Sequence, residues 1–191
     1  EIVRFAGSYL EGLQQGGVVA CGKHFPGLGD STVDSHHALP TVERSGEDLR
    51  AYDLRPYAEL TTRINSRLSV VMVAHAYYPA FDGQERIPAS LSANVVKSLL
   101  RDELEFRGLA ISDDMEMGAI AAMGDFSESC VRAIEAGNDM LLVCQTPEKA
   151  REAHEALVRA AESGRISPDR RRRGLDRIAR VKSAASQPAA F

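Results

Sequence analysis

Four short apolar runs recur along the chain, and segments with helical periodicity separate them. This alternation constrains the fold most, because strands that alternate with helices form a parallel sheet with right-handed crossovers. The predicted strands are residues 18–21, 69–75, 109–111 and 140–143. We therefore expect an α/β fold, with one helix at the amino terminus followed by four strand–helix units.

Polar side chains stand where the predicted strands end. They are Lys23 and His24, His75, Asp113 and Asp114, and Gln145. No glycine-rich phosphate-binding pattern follows any strand, which argues against a nucleotide-binding sheet. A ring of reactive side chains at strand ends is how a (β/α)₈ barrel builds its active site, and a complete barrel takes about 250 residues. The chain has 191 residues. We therefore predict the second half of a TIM-type barrel over residues 1–182, with a flexible tail over 183–191.

Composition excludes several classes of function. A net charge of −4 argues against nucleic-acid binding, which favours a basic face. The arginine run 170–173 lies in a helical pattern and is interpreted as a solvated face. No apolar run approaches the roughly 20 residues of a membrane span. Three widely spaced cysteines argue against disulfides or a zinc site and favour a cytoplasmic location. Because the chain opens with Glu1 already in helical register, we expect an upstream segment.

The loop after the first strand, residues 23–40, is rich in histidine, aspartate, glycine and proline. Asp34 and His36 lie two positions apart, so in an extended backbone their side chains point the same way. A carboxylate that holds an imidazole supports the charged form of the ring, as a general acid or base requires. The alternative is a polar loop in which this pair makes one structural hydrogen bond. His37 is expected to face solvent.

The segment Ser112, Asp113 and Asp114 closes the third strand and precedes a helix. Serine and aspartate are good helix caps, so one of the two aspartates is expected to cap. Adjacent side chains at a strand end point in different directions, so Asp113 can face the barrel mouth. A carboxylate nucleophile opposed by an acid/base group is the plan of a retaining glycosidase, here with a histidine as the acid.

Three blocks resemble glycoside hydrolase family 3, in particular its β-N-acetylglucosaminidase branch. Residues 23–40 carry Lys-His-Phe-Pro-Gly-x-Gly-Asp followed by Asp-Ser-His. Residues 74–92 end in Pro-Ala-Ser-Leu-Ser. Residues 100–140 carry Ser-Asp-Asp-Met and then Ala-Gly-x-Asp-Met. The order and spacing of the blocks over about residues 18–145 are those of the family.

The resemblance implies a retaining exo-β-N-acetylglucosaminidase that acts on terminal β-linked N-acetylglucosamine in peptidoglycan recycling. It implies Asp113 as the nucleophile, His36 as the acid/base on a mobile loop, and Asp34 as the partner of His36. Lys23 and His24 would bind the sugar hydroxyls. We also place His75 among the substrate-binding residues, with a backbone hydrogen bond as the alternative for this side chain.

Two departures from the family qualify these expectations. Leu28 stands where family members commonly carry histidine, and the first half of the barrel with its sugar-binding residues is absent. We therefore expect the missing N-terminal half, or a second copy of this chain, as a partner. A phosphorylase using the same residues and a non-catalytic half-barrel are the alternatives. No cofactor is expected. A metal site built from His24, Asp34, His36 and His75 was considered and is disfavoured by the family pattern.

Overall fold

A computed structural model describes residues 1–29, 31, 38–62 and 68–185. Four parallel strands form one sheet in the order β1-β2-β3-β4, so neighbours in the sheet are also successive in the chain. The strands are β1 (Cys21–Phe25), β2 (Val70–Val73), β3 (Leu109–Asp114) and β4 (Met140–Leu142). Parallel strands in sequential order with helical crossovers are the arrangement of a (β/α)₈ barrel, and four strands are half of one. The predicted fold class is confirmed.

Helices connect the strands and cover one face of the sheet. They are α1 (Ile2–Gln15), α2 (Gly46–Asp48), α3 (Arg55–Thr62), α4 (Pro79–Asp82), α5 (Gly118–Ala121), α6 (Phe126–Ala136), α7 (Pro147–Glu162) and α8 (Pro168–Ala185). Two π-helical segments, Leu49–Asp53 and Asn94–Glu103, and one 3₁₀ turn, Ala89–Leu91, complete the described elements. Among the described helices, none has the length and apolar character needed to cross a lipid bilayer.

The two faces of the sheet differ in burial. Val71 and Val73 of β2 and Ala110 of β3 are fully buried and belong to the main core, which the helices complete. Met72 and Ile111, which alternate with them, are only partly buried. Successive side chains of a strand point to opposite faces, so the helices bury one face, and the other face is partly open at Met72 and Ile111.

The first strand begins three residues later than predicted. Residues 18–20 precede it, and the strand runs Cys21–Phe25, so Lys23 and His24 are strand residues rather than loop residues. The ring of Phe25 is fully buried and meets Tyr57 edge-on, with the ring centroids 5.1 Å apart. The buried Phe25 and the pairing with β2 hold Lys23 and His24 in the strand. Hydropathy alone assigns these two polar residues to a loop.

Two other local features differ from the simple sequence pattern. Ser127 has the residue type of a helix cap, but the side chain of Asp125 accepts the Glu128 amide at 2.6 Å and is the cap of α6. Ser127 instead donates to Glu152 of α7 at 3.0 Å. At the carboxyl terminus, residues 183–185 were assigned to the tail but belong to α8. Residues 186–191 lie outside the described part of the chain.

A buried carboxylate ties the amino-terminal end of the sheet to α8. Asp139 precedes β4, and its side chain has no exposed surface. Its Oδ2 accepts from Arg101 at 2.7 Å and from the Ala110 amide at 3.1 Å. Its Oδ1 accepts from Arg170 at 3.2 Å and from Arg177 at 3.0 Å. The arginine run therefore contributes to structure at Arg170, which is not the fully solvated position that the sequence indicates.

Candidate active site

The carboxyl-terminal ends of β1 and β3 bring two predicted site residues together. His24 Nε2 lies 3.5 Å from Asp113 Oδ2, although β2 separates their strands. The side chains of His24 and Asp113 are 27% and 18% exposed. Partial burial lowers the effective dielectric constant around the two side chains and so strengthens their electrostatic interaction. The exposed fraction of each side chain remains accessible from solvent. Lys23, beside His24, is exposed.

Both strands are irregular where these residues sit. Between Gly22 and Phe25, β1 uses three residues where β2 uses two. Between Ile111 and Asp114, β3 likewise uses three residues where β4 uses two. An extra residue of this kind interrupts the ladder and redirects a side chain, and such irregularities are frequent beside active sites. The segment of β1 also contains two cis peptide bonds, Lys23–His24 and Phe25–Pro26.

The two adjacent aspartates have different surroundings. Asp114 accepts from the Glu116 amide at 3.1 Å and the Cys144 amide at 3.2 Å through Oδ1, and from Gln145 Nε2 at 3.1 Å through Oδ2. Asp114 therefore holds the turn after β3 and the loop after β4. Asp113 accepts the Asp114 amide at 2.9 Å through Oδ1 and turns Oδ2 towards His24. The predicted helix cap is not found, because the helix that follows, α5, has Met117 at its cap position and no side-chain cap. Asp114 instead bonds the backbone of the turn, and Asp113 Oδ2 lies on the side of His24.

His75 was predicted to bind substrate, and its geometry does not support that role. The residue is 1% exposed, its Nδ1 lies 2.7 Å from Ser90 Oγ, and its Nε2 lies 3.0 Å from the Asp114 carbonyl oxygen. Burial lowers the pKa of His75 below its ordinary value, against the opposing effect of the Asp113 and Asp114 charges. Both ring nitrogens of His75 are hydrogen-bonded to protein groups, one of them to a backbone carbonyl. This matches the second possibility raised from the sequence, in which His75 bonds backbone rather than substrate.

The predicted acid/base residue His36, its partner Asp34, and His37 lie outside the described residues. What the structure describes is the base of their loop. The Tyr78 hydroxyl donates to the Gly27 carbonyl at 2.8 Å. Gly27 has φ +133°, and a Cβ there would lie 2.7 Å from Asp53 Cβ, so the position requires glycine. Asp53 in turn accepts from Arg44 at 2.6 Å. These contacts fix the position of Gly27, which precedes the segment that contains the predicted acid/base residues.

Sequence analysis missed three side chains that organise this edge of the sheet. Glu116 accepts the amides of Gln145 and Thr146 at 2.7 and 3.0 Å, next to the start of α7. Ser90 partners His75, and Asp53 supports the loop base. Glu116 stands two positions after Asp114, and Ser90 lies in the Pro-Ala-Ser-Leu-Ser block. These positions do not reveal the hydrogen-bond partners of Glu116 and Ser90, because those partners are distant in the sequence.

Of the four residues considered as metal ligands, Asp34 and His36 lie outside the described residues. His75, one of the four residues considered as ligands, has both ring nitrogens engaged by protein. Within the described ranges, no group of three or more histidine, cysteine, aspartate or glutamate side chains is arranged to hold a metal ion. The described arrangement is an aspartate beside a histidine on the rim of a half-barrel.

Comparisons with known proteins agree on one family. Residues 1–181 match the profile described as the glycosyl hydrolase family 3 N terminal domain. A protein from Idiomarina loihiensis named beta-hexosaminidase is 38% identical over 162 residues, which are 85% of this chain and 47% of that protein. The chain spans about half the length of the curated relatives it matches.

Solved structures share the fold as well as the sequence. A glycoside hydrolase family 3 β-N-acetylglucosaminidase from Paenibacillus sp. str. FPU-7 superposes with a TM-score of 0.90 at 39% identity. The match covers 100% of this chain and 36% of that one. The beta-glucoside phosphorylase BglX superposes with a TM-score of 0.87 at 26% identity and covers 96% of this chain and 34% of that one.

Proposed function

The chain belongs to glycosyl hydrolase family 3, and from that premise we propose that it is the barrel half that carries the nucleophile of a retaining β-N-acetylglucosaminidase. The observation that carries the proposal is the approach of His24 to Asp113, 3.5 Å apart at the ends of two strands. The names of the relatives and the structural match support a glycosidase that acts on a hexosaminide.

The proposed reaction has two steps, as in retaining glycosidases. The Asp113 carboxylate attacks the anomeric carbon and forms a glycosyl-enzyme ester, while the bond from that carbon to the leaving oxygen breaks. The His36 imidazolium, supported by Asp34, gives its proton to the leaving oxygen. Water then attacks the anomeric carbon and gives a proton to His36, while the bond from that carbon to the Asp113 oxygen breaks. This second displacement restores the Asp113 carboxylate and retains the β configuration. Lys23 and His24 would bind sugar hydroxyls beside the reacting carbon.

The proposed substrate is terminal β-linked N-acetylglucosamine on a muropeptide or on the disaccharide with anhydro-N-acetylmuramic acid. Cell-wall recycling in the cytoplasm is the setting we propose for this reaction. The names of the relatives support the sugar, and the remainder of the ligand follows from the family resemblance.

We further propose that a complementary N-terminal half completes the barrel. Among the described strands, β1 and β4 each pair on one side, which leaves two rows of backbone groups at the sheet edges. Ile2, Phe5 and Tyr9 on α1 are each more than 60% exposed, as expected of a surface that another element covers. If the chain alone is a monodisperse, folded monomer by light scattering, this part of the proposal fails.

The test measures release of p-nitrophenol from its β-N-acetylglucosaminide by the chain co-expressed with the family's N-terminal barrel half. Asp113→Asn is expected to reduce kcat by about 10³-fold or more, as loss of a covalent nucleophile does. Asp102→Asn, which changes an exposed aspartate of the segment Asn94–Glu103, is the matched control and should leave the rate unchanged. A folded complex without hydrolysis, or an active Asp113→Asn variant, contradicts the proposal.

A phosphorylase is the second candidate, and the structural match to BglX favours it. The acid/base group of the family resemblance is an imidazole, and a neutral imidazole does not repel phosphate as a second carboxylate would. The two activities differ in the acceptor of the glycosyl group. A rate that rises with phosphate, with a sugar 1-phosphate as product, identifies the phosphorylase, and a phosphate-independent rate excludes it.

A further inference from the structure

We propose that His75 and Ser90 form a buried positioning pair that fixes the backbone on which the Asp113 carboxylate is held. The pair acts through Asp114 and does not touch the sugar. The contacts that define the pair are properties of the fold. Their effect on rate rests on the function proposed above.

The hydrogen-bond directions at His75 follow from its partners. The Asp114 carbonyl oxygen can only accept, so Nε2 of His75 carries the ring proton and donates to it over 3.0 Å. Nδ1 is then the acceptor, and the Ser90 hydroxyl donates to it over 2.7 Å. His75 is 1% exposed and Ser90 is fully buried. The ring is therefore a neutral Nε2–H tautomer with both nitrogens satisfied.

The pair is itself anchored on two further elements. The Ser90 amide donates to the Ala74 carbonyl at 3.1 Å, which joins the turn Ala89–Leu91 to the end of β2. Asn138 Nδ2 donates to the Ser90 carbonyl at 2.7 Å, which joins the same turn to the residues before β4. Asn138 is fully buried. A buried and largely satisfied polar chain of this kind specifies one arrangement, because an alternative would leave groups unpaired in a low dielectric.

Asp114 transmits the position of the pair to Asp113. The carbonyl of Asp114 accepts from His75, and the amide of the same residue donates to Asp113 Oδ1 at 2.9 Å. Fixing Asp114 from one side therefore fixes Oδ1 on the other and leaves Oδ2 turned to His24. Asp114 pairs with Leu142 of β4, but the ladder between Ile111 and Asp114 is irregular and leaves the residues before Asp114 without regular pairing. His75, just beyond the end of β2, adds a constraint on the Asp114 carbonyl from the other side.

Direct contact between His75 and substrate does not fit these observations. The ring is enclosed, and a ligand would have to displace Ser90 or the Asp114 carbonyl to reach a nitrogen. The charged groups that face His75 are Asp113 and Asp114, which favour the imidazolium, but burial outweighs them and keeps the ring neutral. A neutral ring preserves the hydrogen-bond directions that the positioning role requires.

The kinetic experiment compares His75→Leu with His75→Gln in the completed barrel. Leucine removes the donor to Asp114, whereas the glutamine amide can restore it. We expect His75→Leu to lower kcat by about 10- to 100-fold with a nearly unchanged KM, as displacement of a held reactive group does. His75→Gln should recover most of the rate. The matched control is His154→Leu on the exposed face of α7, which should leave both constants unchanged.

A second readout does not depend on activity. In the ¹⁵N-labelled chain, His75 should give the spectrum of an Nε2–H tautomer, and the ¹³C carboxyl signal of Asp113 should shift in His75→Leu but not in His75→Gln. Ser90→Ala, which removes the donor to Nδ1, should shift the His75 signals and lower kcat less than His75→Leu. This smaller variant decides the question if His75→Leu does not fold.

The outcomes separate this proposal from the proposed function. An Nδ1–H tautomer, an unmoved Asp113 signal, or a folded His75→Leu variant with full kcat overturns the positioning role. If the wild-type complex cleaves no glycoside, the proposed function fails. The tautomer and the Asp113 signal then still decide whether His75 positions that carboxylate.

Discussion

At the amino-terminal end of the sheet, the Asp139 carboxylate has no exposed surface and accepts from three arginines and a backbone amide. At the carboxyl-terminal end, the Asp113 carboxylate is 18% exposed, accepts the amide of its own neighbour, and lies 3.5 Å from His24. Both aspartates sit at strand ends. The Asp139 carboxylate is surrounded by protein partners, whereas the Asp113 carboxylate is partly exposed and has one oxygen directed at His24.

The contrast shows that the two ends of one sheet differ in how far their carboxylates are buried and in how many protein groups bind them. Burial lowers the pKa of Arg101 to about 10, which still leaves the guanidinium charged at neutral pH. At the amino end, the single Asp139 carboxylate therefore binds three charged guanidiniums, and those of Arg170 and Arg177 hold α8 against the sheet. At the carboxyl end, β1 and β3 are irregular, and the Asp113 carboxylate contacts only the Asp114 amide and His24 among the contacts described above. Irregular strands of this kind are frequent beside active sites. This is the usual division in βα barrels, where the carboxyl-terminal face carries function.

The largest expected effect breaks the amino-terminal cluster. Asp139→Asn leaves Arg101, Arg170 and Arg177 without their carboxylate, so we expect a loss of about 3–5 kcal/mol in the free energy of unfolding. Asp113→Asn, the matched change at the other end, should alter stability by less than about 0.5 kcal/mol. Urea denaturation of both variants measures the difference. Equal losses would contradict the proposed division.

The next effect tests how tightly the amino end is packed. A Cβ added at Gly108 would lie 2.2 Å from the Ser69 carbonyl oxygen and 2.5 Å from the Phe106 ring. We expect Gly108→Ala to cost about 1–3 kcal/mol, because the nearest contact is backbone and cannot move aside. Gly12→Ala is the control, since nothing lies within 4 Å of that position in α1. It should stabilise the helix, so a Tm that falls in both variants would count against the packing argument.

The third effect sharpens the comparison through pH. Burial holds the pKa of His75 below its ordinary value of 6.5, so the folded state prefers the neutral ring while the unfolded chain takes up the proton first. The stability contributed by His75 is complete above about pH 6.5 and is lost as the pH falls below that value, at up to about 1.4 kcal/mol per pH unit. His75→Gln should flatten this slope. Denaturation at several pH values between 5 and 7.5 compares the two proteins, and parallel curves would refute the prediction.

The smallest effect concerns a carboxylate beyond β3 that has a purely structural role. Asp125→Ala removes the cap of α6 and should cost about 1 kcal/mol. Ser127→Ala, which removes a side-chain contact to Glu152, should cost less. Thermal unfolding of the two variants measures the order. A larger loss of Tm in Ser127→Ala than in Asp125→Ala would show that Ser127, rather than Asp125, caps α6.

Sequence analysis predicted the elements better than it predicted their partners. The strand–helix alternation correctly predicted the parallel sheet. The end of β1 was predicted wrongly because Lys23 and His24 are polar, and only pairing with β2 reveals that they belong to a strand. His75 was placed with the substrate-binding residues because a histidine at a strand end has the same pattern whether it faces a ligand or Ser90.

By itself, the sequence determined the parallel α/β architecture, because the periodicity of its apolar residues is a local property of the chain. The tertiary structure decided that His75 bonds Ser90 and the Asp114 carbonyl, that Asp139 gathers three arginines, and that His24 approaches Asp113 across an intervening strand. Each of these contacts joins residues at least 15 positions apart. Their partners are chosen by packing and by the need to satisfy buried polar groups, and no local pattern records that choice.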